Sequence, residues 1–316
     1  FIYIYREYIC IYIIIYIYYI NDKTYFELFN NTDKTDKTYK TYKTYYEVYG
    51  SLNKNDNPII LINDGPGSSL NYFKNFKNFV KYLGPIIVYD QVGSGRTISN
   101  DENISLETHV IQLVNLINEL KINRCDLIGH SYGSIIALET YLKIPSKINS
   151  IIFYSSTINM KLWQKQANMY VNKIKRDYKF KNINTNLDEY IEKEYIKRHI
   201  IDDKYKINIL NHNINVYTKI WGDNEYNVNG ELMNYNKSNE LNTINIPIYF
   251  ISGEYDTASE FTLKNSIKNN DIKYTIINNS KHIAHIENPK LFFKNIINFY
   301  NKIVNSNFSI DFNKYF

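Results

Sequence analysis

Glycine is scarce in this chain, with 11 residues in 316, and so are proline (6), histidine (6), arginine (5), cysteine (2) and tryptophan (2). Each shortage excludes something. Two cysteines, Cys10 and Cys125, exclude a disulfide framework, and the lack of any CxxC or Cys/His cluster argues against structural zinc. Cys125, opening an apolar run, reads as a buried small hydrophobe. Five arginines and a nearly balanced charge, 37 Lys+Arg against 32 Asp+Glu, leave no dense basic stripe of the kind nucleic-acid binders need. Only 22% of residues are charged while 44% are hydrophobic, which excludes global disorder. Nor is there a membrane span: the apolar run Cys10 to Ile20 suits a signal-type core but is too short to cross a bilayer.

What is present is equally one-sided. Ile (51), Asn (46), Lys (32) and Tyr (32) make up 161 of the 316 residues. All four have AT-rich codons, so the 16% aromatic content reflects coding bias and not a stacking surface. The rare residues are therefore the informative ones. They mark positions where backbone or chemistry allows little else.

Residues Phe1 to Ile20 are nearly all Ile and Tyr, and the chain begins with Phe. A signal anchor, a processed targeting segment and a gene-model artefact are all open, and the last two are preferred. Asp33 to Tyr45 (DKTDKTYKTYKTY) is a low-complexity repeat, read as a linker or irregular arm, so that 1–45 stand apart from the domain. From about Thr44, short apolar runs alternate with helical patterns, the signature of a mostly parallel sheet covered by helices. The expected strands are Pro58–Ile62, Pro85–Tyr89, Cys125–Gly129, Ser150–Tyr154, Pro247–Ser252 and Lys273–Ile277. A helix is expected over Ser105–Leu120, and another over Pro289–Tyr300 behind the N-cap Asn288. Between the fourth and fifth strands, residues 157–243 form an inserted helical cap. The α/β core is thus 46–156 with 244–305, and 306–316 is a tail.

Eight glycines fall in five places: Gly65/Gly67, Gly93/Gly95, Gly129/Gly133, Gly222 and Gly253. Most follow or close a strand, at the carboxyl edge where open α/β sheets put their active sites. The central one, Gly129-His130-Ser131-Tyr132-Gly133, is a GxSxG between an apolar strand and a helical run. It is the context in which a sharp turn exposes a nucleophilic serine. Composition alone yields such a pattern roughly 0.02 times per chain. The acid and base follow in chain order: Asp256 after the fifth strand, and His282 after the sixth, preferred over His285. His130 reads as a shaper of the turn. The oxyanion donors are assigned to the N–H of Tyr132, next to the nucleophile, and the N–H of Gly65 in Asn63-Asp64-Gly65-Pro66-Gly67.

These residues resemble the proline iminopeptidase family of α/β-hydrolase serine peptidases. That family carries HGGPG, DQxGxGxS, GxSxGG, GEYD and an H-x-x-H-x-E-x-P-like segment. This chain has NDGPG (Asn63–Gly67), DQVGSGRT (Asp90–Thr97), GHSYGS (Gly129–Ser134), GEYD (Gly253–Asp256) and HIAHIENP (His282–Pro289). The likeness spans roughly Thr44 to Asn305. Two cap segments match one branch of the family: Glu194–His199 resembles EFYxRH, and Val216–Tyr226 resembles VYxxMxGPNEF. By that resemblance Glu194 and Glu225 hold the free amino terminus of a substrate, and desolvated carboxylates suit a cationic amine. Trp163 and Trp221 are candidates for lining a pyrrolidine pocket, with packing of the cap as the equal alternative.

The resemblance implies a Ser131–His282–Asp256 aminopeptidase acting on peptides with a free N-terminal proline, without metal or organic cofactor and without nucleic acid. Lack of a span and of disulfides points to a cytoplasmic, soluble protein. An esterase or lipase on the same scaffold would share the triad without needing the cap glutamates. A non-catalytic hydrolase fold used for binding is the third reading. Three departures stand out. Asn63 and Asp64 replace His and Gly of the oxyanion motif, Ser134 replaces the second Gly after the nucleophile, and Asp223 stands where Pro is usual.

Overall fold

The computed structural model describes residues 24–29, 41–53, 56–99, 103–181, 183–202, 213–269 and 271–303. The apolar tract Phe1–Ile20 and the tail 306–316 lie outside the described residues. Nine strands form one sheet: β1 (Thr24–Phe29), β2 (Thr41–Tyr49), β3 (Ile59–Ile62), β4 (Ile86–Tyr89), β5 (Ile98–Ser99), β6 (Cys125–His130), β7 (Ile148–Tyr154), β8 (Ile248–Gly253) and β9 (Lys273–Ile277). Their spatial order is β1-β2-β4-β3-β6-β7-β8-β9, with β5 pairing beside β2. From β4 to β9 every pairing is parallel. β1, β2 and β5 add an antiparallel wing. All six expected strands form, within one or two residues of their expected bounds.

The sheet is buried on both faces, which is why its strands read as unbroken apolar runs. Side chains alternate with period two. Ile60, Ile62, Ile87, Tyr89, Leu127, Ile151 and Phe153 pack on one side, while Ile59, Leu61, Ile86, Val88, Ile128, Ile152 and Tyr154 pack on the other. The first side is covered by the helices Leu106–Glu119 and Tyr132–Lys143. Ser105 starts the former through a capping box with Thr108. The second side is covered by the 3-10 segment Leu70–Phe79 and the helix Pro289–Ile303. There Phe79 stacks on Phe293 with ring centroids 3.8 Å apart.

One expectation is corrected. Thr41–Tyr45 is not linker: it is the first half of β2, paired antiparallel to β1, while the pairing with β4 follows at Tyr46–Tyr49. Its repeat conceals a strand pattern. Tyr42 and Tyr46 enter one core layer and Tyr45 and Tyr49 the other, while buried Thr44 accepts a hydrogen bond from Gln112 Nε2 at 3.0 Å. Tyrosines assigned to coding bias are thus structural, each ring covering roughly 150–250 Å².

Between β7 and β8 the described regular elements are helical, apart from isolated bridges. They are Met160–Phe180, Leu187–Tyr195 continued by the π-turn Ile196–Ile200, Ile214–Ile220, Glu231–Asn234 and Ser238–Leu241. Among the described residues no helix is long and apolar enough to cross a membrane. Truncating Phe79→Ala should remove the stacked contact with Phe293 and cost about 3–5 kcal/mol. Urea denaturation measures this, and a loss below about 1 kcal/mol would mean that this side of the core closes over the gap.

Candidate active site

β6 ends at His130 and a helix begins at Tyr132, so Ser131 must turn the chain within one residue. It does so at φ 53°, ψ −118°, a region disfavoured for any residue with a Cβ and costing about 1–3 kcal/mol. The turn is held because its N–H donates to Tyr154 O at 2.8 Å and because its flanks lack side chains. A Cβ on Gly133 would lie 2.3 Å from Ile62 O, and one on Gly129 2.4 Å from Gly133 O. Ser134, the departure from the family's second glycine, fits by donating its hydroxyl to Gly129 O at 2.5 Å.

His282 and Asp256 arrive from the loops after β9 and β8. His282 Nδ1–H donates to Asp256 Oδ1 at 3.0 Å, and both side chains are buried. Asp256 also accepts from Ala258 N–H at 3.0 Å and from the Ser252 hydroxyl at 3.0 Å. Burial alone would raise its pKa, but the charge and hydrogen bond of His282, with the Ala258 N–H, hold it below the usual carboxylate range. Burial would likewise lower His282, yet Asp256 and Asp64 together hold it well above the usual histidine range.

Asp64 is the unexpected member. From the loop after β3 its Oδ1 accepts the N–H of Gly65 at 2.6 Å, the donor assigned to an oxyanion. Its Oδ2 lies 3.7 Å from His282 Nε2, an ion-pair distance too long for a hydrogen bond. Burial would raise the Asp64 carboxyl, but the charge that His130 takes on at low pH, then His282 and the Gly65 N–H, hold it far below the carboxylate range. The other donor, Tyr132 N–H, belongs to the first helical residue, where backbone donors have no partner within the helix. Its phenol is anchored 2.7 Å from His109 Nδ1.

Tyr72, which carries no motif, ties the loops together. The Asp64 N–H donates to its hydroxyl, which lies 3.0 Å from His130 Nδ1. His130 Nε2 lies 2.9 Å from His282 O. A carbonyl only accepts, so Nε2 carries the proton and Tyr72 donates to Nδ1. Burial pulls His130 down to about 4 and raises the Tyr72 phenol well above 10, so both stay neutral. Asp64, His130 and His282 place metal-capable atoms within 4.8 Å of one another, but His130 has both nitrogens committed to this chain. His285, the rejected base, is a packing residue. Its ring bridges Tyr154 OH at 2.9 Å and Tyr72 O at 3.0 Å.

The DQVGSGRT segment supports the oxyanion loop from behind. Buried Asp90 accepts Leu70 N–H at 2.8 Å through Oδ1, and Arg96 N–H at 2.8 Å and Nε–H at 3.1 Å through Oδ2. Gln91 Nε2 donates to Asn63 O at 2.8 Å. Asn63, in place of the family's His, closes the loop by donating to Ser68 O at 2.5 Å. Arg96 lies over the Tyr45 ring, 3.8 Å from its centroid, which links this support to β2.

The inserted segment brings Glu225, in the loop after Ile214–Ile220, within electrostatic reach of Asp64 and His282. Burial and then the negative charge of Asp64 push it up to about 7, while the Tyr217 hydroxyl and His282 pull the other way. Its loop is closed by Asp223 and Asn229, whose Nδ2 donates to Asp223 Oδ2 at 2.6 Å, so the missing proline has a substitute. Glu194 is held differently. Its Oε2 accepts from Arg198 Nη2 at 2.6 Å and Nε at 2.9 Å, while Arg198 Nη1 donates to Asp177 Oδ2 at 2.7 Å, so one cation is shared between two carboxylates. Trp163 and Trp221 meet edge to face, with ring centroids 4.8 Å apart. Each is only 5% exposed, and Trp221 Nε1 donates to Asn224 O at 3.2 Å. Those contacts pack the two rings beneath the Glu225 loop.

A family profile described as alpha/beta hydrolase fold matches residues 57–289. The chain belongs to the α/β-hydrolase fold family. It is similar to a proline iminopeptidase of Heyndrickxia coagulans, 26% identical over 269 residues that cover 78% of this chain and 91% of that one. A proline iminopeptidase of Clostridioides difficile (strain 630) is also 26% identical, over 270 residues covering 79% and 91%. Among solved structures, a proline iminopeptidase from Mycobacterium smegmatis superposes with a TM-score of 0.73 at 20% identity, covering 89% of this chain and 98% of that one. The last likeness concerns fold alone. The sequence-level resemblance to proline iminopeptidases is therefore shared by whole relatives and not by isolated motifs.

Tyr72 escaped the sequence reading because a tyrosine among 32 carries no signal. Tyr72→Phe keeps the ring but leaves the Asp64 N–H and buried His130 Nδ1 without that partner. A loss of about 1–3 kcal/mol is expected in urea denaturation. A change below about 0.5 kcal/mol would show that water replaces the phenol.

Proposed function

We propose that this α/β hydrolase is a serine aminopeptidase releasing N-terminal proline from peptides. Ser131 attacks the prolyl carbonyl while His282 Nε2 takes the hydroxyl proton and Asp256 fixes the imidazole through Nδ1. The N–H groups of Tyr132 and Gly65 receive the oxyanion. His282 then protonates the departing amine, and water hydrolyses the prolyl-enzyme by the same route. Residues 157–243 serve as the cap, and the core runs through 46–156 and 244–305 with β2 added from Thr41.

The observation that carries the peptidase reading over an esterase is Glu225, a half-buried carboxylate of the inserted segment that lies within electrostatic reach of Asp64 and His282. An acyl ester has no use for it, whereas a cationic imino group beside the scissile carbonyl does. Glu194, already paired with Arg198, is the outer partner in this reading. The names of the relatives support the same choice of substrate.

Fluorogenic prolyl-, alanyl- and leucyl-amides test it. The prolyl amide should turn over fastest, and Ser131→Ala should reduce kcat by about ten-thousandfold or more. Glu225→Gln should raise KM for the prolyl amide by roughly tenfold or more. Hydrolysis of short acyl esters with no amide cleaved would move the protein to the esterases.

A further inference from the structure

His282 has a carboxylate at each ring nitrogen. Asp256 Oδ1 lies 3.0 Å from Nδ1, and Asp64 Oδ2 lies 3.7 Å from Nε2. The first is the ordinary orienting partner of a base. The second stands at the nitrogen that must take the Ser131 proton. Its other oxygen occupies the Gly65 N–H at 2.6 Å, so Asp64 is already an anion in the place prepared for one. Its side chain is 21% exposed, so it faces the cleft and is not sealed into the core.

We propose that Asp64 is a specificity-determining residue, which closes the site to neutral acyl groups and yields it to substrates carrying a cation beside the scissile carbonyl. The proposal deepens, and rests on, the reading of Ser131 and His282 as nucleophile and base.

An incoming carbonyl oxygen needs the Gly65 N–H, and beside a carboxylate its developing negative charge is repelled. A neutral ester offers nothing to draw the carboxylate away. An α-ammonium does: it pairs with Asp64 and so takes over the role of His282 as counter-cation. The charges facing His282 are Asp256 from the β8 loop, Asp64 from the β3 loop, and Glu225 from the insertion. The His130 ring, 4.8 Å away between centroids, is neutral. Against that set, the empty pocket favours the imidazolium. A bound cation reverses the balance, and the Nε2 proton of His282 passes to solvent, leaving the neutral base that attack requires. Glu225 near the same pocket is pushed up by Asp64, so the two carboxylates together favour one cationic guest.

The experiment compares L-proline p-nitrophenyl ester with the cyclopentanecarboxylate ester, a near-isostere without the amine, in wild type and Asp64→Asn. Wild type should strongly prefer the prolyl ester. Asp64→Asn should narrow that ratio roughly tenfold or more, mainly by speeding the neutral ester. In parallel, the His282 imidazole is titrated by NMR in Ser131→Ala with and without Asp64→Asn, where loss of the carboxylate should lower its pKa by about one unit or more. An unchanged ester ratio, a parallel fall in both rates, or an unchanged His282 titration each overturns the proposal. If neither ester turns over in wild type, the hydrolase reading falls. The titration then decides the Asp64–His282 pairing alone, a lowered value supporting it and an unmoved one overturning it.

Discussion

The close approach of two backbones at the carboxyl edge of the sheet is the constraint on which the rest depends. The turn after β6 comes so near the end of β3 that a single methyl on Gly133 would strike Ile62 O at 2.3 Å. That contact sets the distance between the Ser131 turn and the loop after β3 before any side chain is considered. It also explains why Ser131 can be kept at a positive φ: strain of about 1–3 kcal/mol persists only where the surroundings over-determine it. Here they include the bond to Tyr154 O and the glycines on either side.

Around this contact the loops support one another through neutral hydrogen bonds. Tyr72 and His130 join the oxyanion loop to the base loop without adding a charge, because burial keeps both groups uncharged. The charges that act most directly on one another are those of Asp256, His282, Asp64 and Glu225. Asp256 and Asp64 raise His282, and Asp64 raises Glu225. Such a set titrates as a unit, and its chemistry belongs to the whole and not to any one residue.

Much of this was legible in the sequence, and for a reason. Buried parallel strands must be largely apolar, so β3, β4, β6, β7 and β8 appear as runs, and the half-buried edge strand β9 as a weaker one. Scarce glycines mark the turns, so Gly129, Gly133 and Gly253 point to Ser131 and Asp256. The pairing of His282 with Asp256 follows the expected assignment. What the sequence hid has equally physical causes. β2 is built from residues that the composition makes common, and its tyrosines, four apart on each face, were lost in a repeat. Tyr72 acts through its hydroxyl alone. The roles of Trp163 and Trp221 depend on which neighbour each ring meets, and composition is silent on that. Asp64 was noticed as a departure, but where its carboxylate points is a matter of three dimensions.

The support behind the oxyanion loop carries a further consequence. Asp90 and Gln91 hold the loop after β3, while Arg96 from the same segment lies on Tyr45 of β2. The antiparallel wing and the anion-binding loop therefore share a single fastening. Sequence drift in one cannot be absorbed without adjustment in the other, so related chains should exchange Tyr45 and Arg96 as a pair. Grafting the oxyanion loop onto another α/β scaffold without that fastening would transfer the letters and lose the shape.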